Sequence, residues 1–261
     1  MDRYYLENRN AVTPDQETED QKLIARTGDQ HEHAVLEEFK SSVASLVEIA
    51  KDDATAAHLE TIAAIQAHAP IIYQAALEDR QFAGFADFLI LDEAGRYQVW
   101  DTKLARSPKP HYAIQLCCYS EMFAATTGEQ MPETFGLILG AKNRAEFRVE
   151  DFIHYYRRVR ANFLSMQEGF TGNIADCPEP LPMADHGRWT SYAEKFFDDS
   201  DHLVRVAGIT DGQIKKLKRA GIATMADLGA ASGRSVPKLA ADSLENSRPR
   251  LACNARHGRI V

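Results

Sequence analysis

GFADFLILDEAGRYQVWDTKLA, residues 84–105, is the stretch on which the reading of this chain turns. Two apolar runs flank the turn-forming Asp-Glu-Ala-Gly of residues 92–95, which predicts two antiparallel strands joined by a tight turn. Asp87 falls on the first strand. Asp101 and Lys103 fall on the second, two residues apart and therefore on one face. Carboxylates converging at a strand pair can hold a hard cation, Mg²⁺ or Mn²⁺, with the carbonyl of Thr102 as a further oxygen ligand. An ammonium beside such a cation can orient an attacking hydroxide or stabilise charge developing on phosphorus. This set of groups suits metal-assisted phosphodiester hydrolysis. Taken alone, however, an Asp-x-Lys on a strand is more often an exposed ion pair, so its neighbours decide its weight.

Upstream, IIYQAALE (residues 71–78) reads as a third strand, making a meander over residues 71–105. Before it, Val35, Leu36, Phe39, Val43, Leu46 and Val47 recur at helical spacing and predict an amphipathic helix over residues 30–51. His31 would begin that helix and face the interior edge, where its imidazole could add a nitrogen ligand to the same cation. A second helix is expected over residues 58–67, stopped by Pro70. Downstream, Pro108 and Pro110 precede a helix at about residues 112–125. Its Gln115 and Tyr119, spaced i and i+4, share a face that can reach toward the strand carrying Lys103. A strand, TFGLILGA (residues 134–141), and a long helix marked by Phe152, Tyr156, Val159 and Phe163 follow. The fold class is α/β: a mixed α+β sheet flanked by helices.

The series Gly-x-x-His-Glu (residues 28–32), Gly-x-Ala-Asp (84–87), Asp-x-Lys (101–103) and Gln-x-x-x-Tyr (115–119) resembles that of RecB-like nucleases of the PD-(D/E)XK superfamily, including CRISPR-associated relatives. The resemblance covers about residues 28–119, with compatible elements to about residue 170, and implies a restriction-endonuclease-like core. It implies His31, Asp87 and Asp101 as metal ligands, Lys103 as the catalytic lysine, and Gln115 and Tyr119 as a supporting pair. The implied activity is a Mg²⁺- or Mn²⁺-dependent deoxyribonuclease, an exonuclease or an enzyme of single strands and ends, serving repair, recombination or defence. Ala86 replaces the proline of the nominal motif, and Asp101 stands where some relatives use Glu. Some relatives also bind an iron-sulfur cluster through one early cysteine and a later trio. Cys117, Cys118, Cys177 and Cys253 do not follow that pattern, so no cluster is expected.

The expected domain division is a nuclease domain over residues 1–172, a Pro-rich linker over 173–199, a small all-α module over 200–232, and a basic, loose or truncated tail over 233–261. The module has Gly-Ile corners followed by threonines suited to N-cap helices, and it resembles a helix-hairpin-helix. That resemblance implies phosphate contacts at Gly208 and Thr210, although Thr210 stands where a second glycine is typical. Lys215, Lys216, Lys218 and Arg219 would add a nonspecific electrostatic attraction to DNA; a structural module with a solvated basic face is the alternative. Longer relatives continue into a helicase or second nuclease domain, so the chain is expected to be a fragment or to act with such a partner.

Net charge is −8, but residues 201–261 hold eleven Lys and Arg against five Asp and Glu, a balance of +6 that leaves −14 for residues 1–200. An acidic body is compatible with a nuclease whose carboxylates gather cations, and does not by itself point to one. No apolar run approaches the roughly 18 residues of a membrane span, and the N-terminus lacks an apolar signal region, so a cytoplasmic protein is expected. A reading from another class, a catalytically silent, nuclease-shaped DNA-binding or scaffold protein, also accommodates the motifs.

Overall fold

The structure, a computed structural model, describes residues 12–43, 45–140, 142–171 and 173–231. The expected tail over 233–261 lies outside these residues. The chain divides into two compact units: one spans Thr18–Ser165, and the other combines Met1–Glu17 with Met166–Val261.

In the larger unit the elements run α1 (Glu19–Ser42), β1 (Val47–Glu48), α2 (Ala54–Gln66), β2 (Ile71–Glu78), β3 (Ala83–Leu91), β4 (Tyr97–Lys103), α3 (Pro110–Thr127), β5 (Thr134–Leu139), β6 (Arg144–Arg148) and α4 (Glu150–Glu168). The strands form one sheet in sequence order; β1–β2 and β4–β5 pair in parallel and the rest antiparallel. This is the mixed α/β sheet flanked by helices that the restriction-endonuclease-like reading requires.

Alternation along the strands sorts the core into two layers. Ile71, Phe88, Trp100 and Ile138 pack with Val35, Leu36 and Phe39 of α1. Their neighbours Ile72, Leu89, Val99 and Leu137 pack with Ala64 and Ile65 of α2, Leu116 and Phe123 of α3, and Ile153 of α4. A sheet covered on both faces has no polar side to alternate with, which explains the unbroken apolar runs of β3 and β5.

The turn between β3 and β4 is closed by Asp92, whose Oδ1 accepts the N–H groups of Ala94 at 2.9 Å and Arg96 at 2.8 Å. Gly95 takes the left-handed conformation (φ 76°) that this turn needs. Helix α3 starts with proline at its first turn and stops at Gly128, again left-handed (φ 72°).

Helix α1 departs from expectation at both ends. It begins at Glu19 behind a capping box made by Thr18 and Gln21, so His31 lies midway along it instead of at its head. It ends at Ser42, because Val47 pairs with Ile72 of β2. Val43 and Leu46 pack on the α1-side core as non-helical chain, and they had prolonged the apparent helical period.

In the smaller unit, residues expected to be linker include α5 (Thr190–Asp199), where Trp189, Ala193 and Phe197 are buried. Phe197 packs between His186 and His202, at ring distances of 6.0 and 5.1 Å. The prolines of residues 177–187 had obscured this apolar spacing. The chain before Thr18 belongs to this unit, Asp15 Oδ2 accepting the Ser191 N–H at 2.9 Å. Beyond it, α6 (Asp211–Arg219) and α7 (Met225–Ala230) close over a core of Leu203, Ile209, Ile214, Leu217, Ile222 and Leu228. Gly208 (φ 73°) and Gly221 (φ 77°) turn the two corners, and Thr210 and Thr224 cap the helices.

Candidate active site

Strands β3 and β4 pair regularly from Leu91↔Tyr97 to Phe88↔Trp100. Just past the last paired residues, the side chain of Asp87 ties the two strands together: its Oδ2 accepts the Thr102 N–H at 2.7 Å and the Thr102 hydroxyl at 2.8 Å. Strand alternation puts Asp101 and Lys103, with Val99, on the face covered by α3. Lys103 Nζ lies 5.6 Å above the Tyr112 ring of that helix and 2.5 Å from Asp101 Oδ2. That oxygen is buried, and Lys103 meets it as an ion pair. Asp101 is 2% exposed, and burial, with the charge of Asp87 second, pushes its carboxyl up to about 7 against the opposing pull of Lys103.

Helix α3 also presents Gln115 and Tyr119. Burial raises the Tyr119 hydroxyl, a hydrogen bond from Gln115 opposes the shift, and the charges of Asp87 and Asp101 add to it. Gly84, the glycine of the Gly-x-Ala-Asp motif, lies beneath that ring. A Cβ there would stand 3.3 Å from Tyr119 Cε1 and 3.4 Å from its hydroxyl oxygen, so the missing side chain leaves room for the tyrosine.

His31 reaches across to β5. Its Nε2 lies 3.3 Å from the carbonyl oxygen of Ile138 on β5, and among the described residues no three His, Cys, Asp or Glu side chains are disposed to hold a metal ion together. Its neighbour Glu32 is the α1 residue that senses the two aspartates. Burial first, and the charge of Asp87 second, raise the Glu32 carboxyl, and Glu32 in turn raises Asp101. Glu32 Oε1 accepts the Tyr73 hydroxyl at 2.8 Å and the Gln74 side-chain amide.

Gln74 is 5% exposed and has φ 56°, a left-handed residue inside a strand whose register is regular on both sides, Tyr73↔Phe88 and Ala75↔Ala86. For a residue with a side chain this conformation costs about 1–2 kcal/mol. Strain of this kind tends to persist where surrounding structure imposes it, and functional sites are where it collects. Sequence reasoning missed both residues, although each left a signal. Glu32 precedes Val35 and Leu36 by three and four positions, on the buried stripe, and Gln74 is the one amide within IIYQAALE.

The geometry fits a divalent cation. Two carboxylates meet beside a lysine, one of them buried and held toward its neutral form by burial first and by the charge of Asp87 second. Two carboxylates leave the remaining positions to water and phosphate, the way Mg²⁺ is commonly bound. The family model of the PD-(D/E)XK nuclease superfamily matches residues 1–215. The chain belongs to that superfamily. Nucleases of the PD-(D/E)XK superfamily generally use divalent metals such as Mg²⁺ or Mn²⁺. No curated protein matches the chain. Among the described residues of this PD-(D/E)XK protein, no helix is long and apolar enough to cross a membrane.

Proposed function

We propose that this PD-(D/E)XK protein is a metal-dependent deoxyribonuclease of the RecB-like branch, acting on single strands or ends. The observation that carries the reading is the Asp87–Asp101–Lys103 cluster on adjacent strands, backed by Gln115 and Tyr119 from α3. Asp87 and Asp101 would hold Mg²⁺ or Mn²⁺, which when bound supplies an activated water and neutralises phosphate charge. Lys103, paired with Asp101, is placed to orient the attacking oxygen and to balance charge that develops on the phosphate. Gln115 and Tyr119 offer donors that position the phosphate. His31, proposed from the resemblance as a further ligand, also reaches the Ile138 carbonyl of β5, and Thr102, whose carbonyl is proposed as an oxygen ligand, aligns Asp87 through its N–H and hydroxyl.

The C-terminal helices are proposed to be a helix-hairpin-helix-like module that contacts DNA. Its phosphate contact would differ from the pattern expected at Gly208 and Thr210, because the Thr210 N–H donates to Gln213 Oε1 at 2.7 Å within its own capping box. Lys215, paired with Asp211 at 2.6 Å, and Lys218, paired with Glu179 at 3.5 Å, would with Lys216 and Arg219 supply a nonspecific electrostatic attraction to DNA.

The decisive assay is cleavage of linear single-stranded, linear duplex and circular DNA by the full chain in Mg²⁺ and in Mn²⁺. Asp101→Asn and Lys103→Ala are expected to reduce cleavage about 100-fold or more. DNA binding without turnover, surviving Asp101→Asn but falling when Lys215 and Lys216 are both neutralised, would support the silent scaffold instead.

A further inference from the structure

Beside Tyr119, on the side of its ring lined by α4, lies a cavity of about 330 Å³. Phe82, Ile114, Tyr119, Tyr156, Val159 and Phe163 supply its apolar walls, with Gln115 and Arg160 as the polar groups that concern its ligand. The Phe82 and Phe163 rings stand 6.2 Å apart and the Arg160 guanidinium lies 5.3 Å over Phe82. Arg160 is fixed there by Asp79 at 2.6 Å and Glu121 at 2.8 Å. The wall is therefore preformed, and its cation is already neutralised.

We propose that this cavity is a subsite for one unpaired base of the substrate strand. The proposal rests on the nuclease reading above and extends it. Two residues join the cavity to the catalytic cluster: Gln115 and Tyr119 line the cavity, and Tyr119 is also within the electrostatic reach of Asp87 and Asp101. A strand whose phosphate lies at the aspartates therefore passes the cavity mouth. Ala83, on the cavity wall, and Asp87 are four residues apart on β3, about 13 Å at roughly 3.3 Å per residue, so the base belongs to a nucleotide close to the scissile phosphate.

The chemistry of the walls selects the occupant. Flat rings and aliphatic side chains match the two faces of a base, and a side-chain amide can meet its polar edge. A phosphate would want a free cation, and Arg160 is not one. A base in a duplex presents no free face, so the subsite favours single strands and frayed ends over intact duplex. No base-specific set of donors is present, so sequence tolerance is expected.

The test uses the purified full chain and fluorescein-labelled oligothymidylate in which a single abasic residue is moved one position at a time. Binding is read by anisotropy and cleavage by product length. One abasic position is expected to weaken binding about tenfold while the others have little effect. Val159→Trp, which fills the mouth from an exposed position, and Phe163→Ala, which removes a wall, are each expected to erase the difference. Should Phe163→Ala fail to fold, Val159→Trp decides. Equal binding at every abasic position, or a positional effect that survives Val159→Trp, overturns the subsite and leaves the cavity to an apolar polypeptide segment. A positional binding effect without cleavage would sink the nuclease reading and leave the subsite standing, whereas cleavage without the effect does the reverse.

Discussion

Thr102 donates twice to one oxygen of Asp87, from its backbone N–H at 2.7 Å and from its hydroxyl at 2.8 Å. The pair ties β3 to β4 just past their last paired residues and fixes one carboxylate oxygen. Thr102→Val keeps the shape and the backbone bond but removes the hydroxyl. It is expected to lower stability by about 2 kcal/mol, the range of hydrogen bonds to charged groups. Mn²⁺ affinity should fall about tenfold, as when a partner orienting a metal ligand is lost. Urea unfolding and calorimetric Mn²⁺ titration check both, and Thr102→Ser should restore the metal affinity.

Asp101 sets a pH dependence whose sign follows from its raised carboxyl. The folded chain holds the proton up to about 7, the unfolded chain only to the ordinary carboxylate value. Between these limits the folded state binds more protons, so stability of the metal-free protein is greatest at the acid end and is lost as pH rises through about 7. Asp101→Asn is expected to flatten that slope and raise the thermal midpoint of the metal-free protein while abolishing cleavage. Mn²⁺ at about 100 times its dissociation constant should stabilise the wild type by about 2.7 kcal/mol and the variant far less. A midpoint that climbs with pH in the wild type would contradict this account.

Gln74 combines a strained backbone with a contact to Glu32, and two substitutions separate them. Both Gln74→Gly and Gln74→Ala remove the amide donor, but only glycine accepts φ 56° freely. The alanine variant is expected to be less stable than the glycine variant by about 1 kcal/mol, the reverse of their order in an ordinary strand. Both should cleave more slowly than wild type, because Glu32 keeps only the Tyr73 hydroxyl of its two side-chain donors. Equal stability would mean that the strand relaxes once the amide is gone.

His202 governs the smaller unit at acid pH. It is 4% exposed, and its Nδ1 accepts the Val204 N–H at 3.1 Å, which caps a short 3-10 turn over Leu203–Arg205. Burial, with Lys218 second, lowers its pKa. Its contribution to stability is therefore present above the ordinary histidine value and lost as pH falls through the lowered folded value. Tryptophan fluorescence in a Trp100→Phe background, which reports buried Trp189 of this unit, should show an earlier urea transition at pH 5 than at pH 8. His202→Asn should shrink that difference.

Asp87, Asp101 and Lys103 were legible in the sequence because a short hairpin with a local turn signal fixes which residues face each other. The i, i+4 pair Gln115 and Tyr119 was legible for the same reason, since helical spacing is local. The three-stranded meander, α3 and β5 followed from pattern alone, and the superfamily from the resemblance of the motif series. Tertiary structure alone decided that Glu32 turns toward Asp87 while His31 turns to Ile138, that Gln74 strains its backbone to reach Glu32, and that α1 ends where β1 pairs with β2. Those contacts join residues some forty to a hundred positions apart, and no local propensity encodes them. The carboxylates and the lysine are a matter of strand register; their burial, and hence the raised carboxyl of Asp101, comes from helices packed on both faces of the sheet.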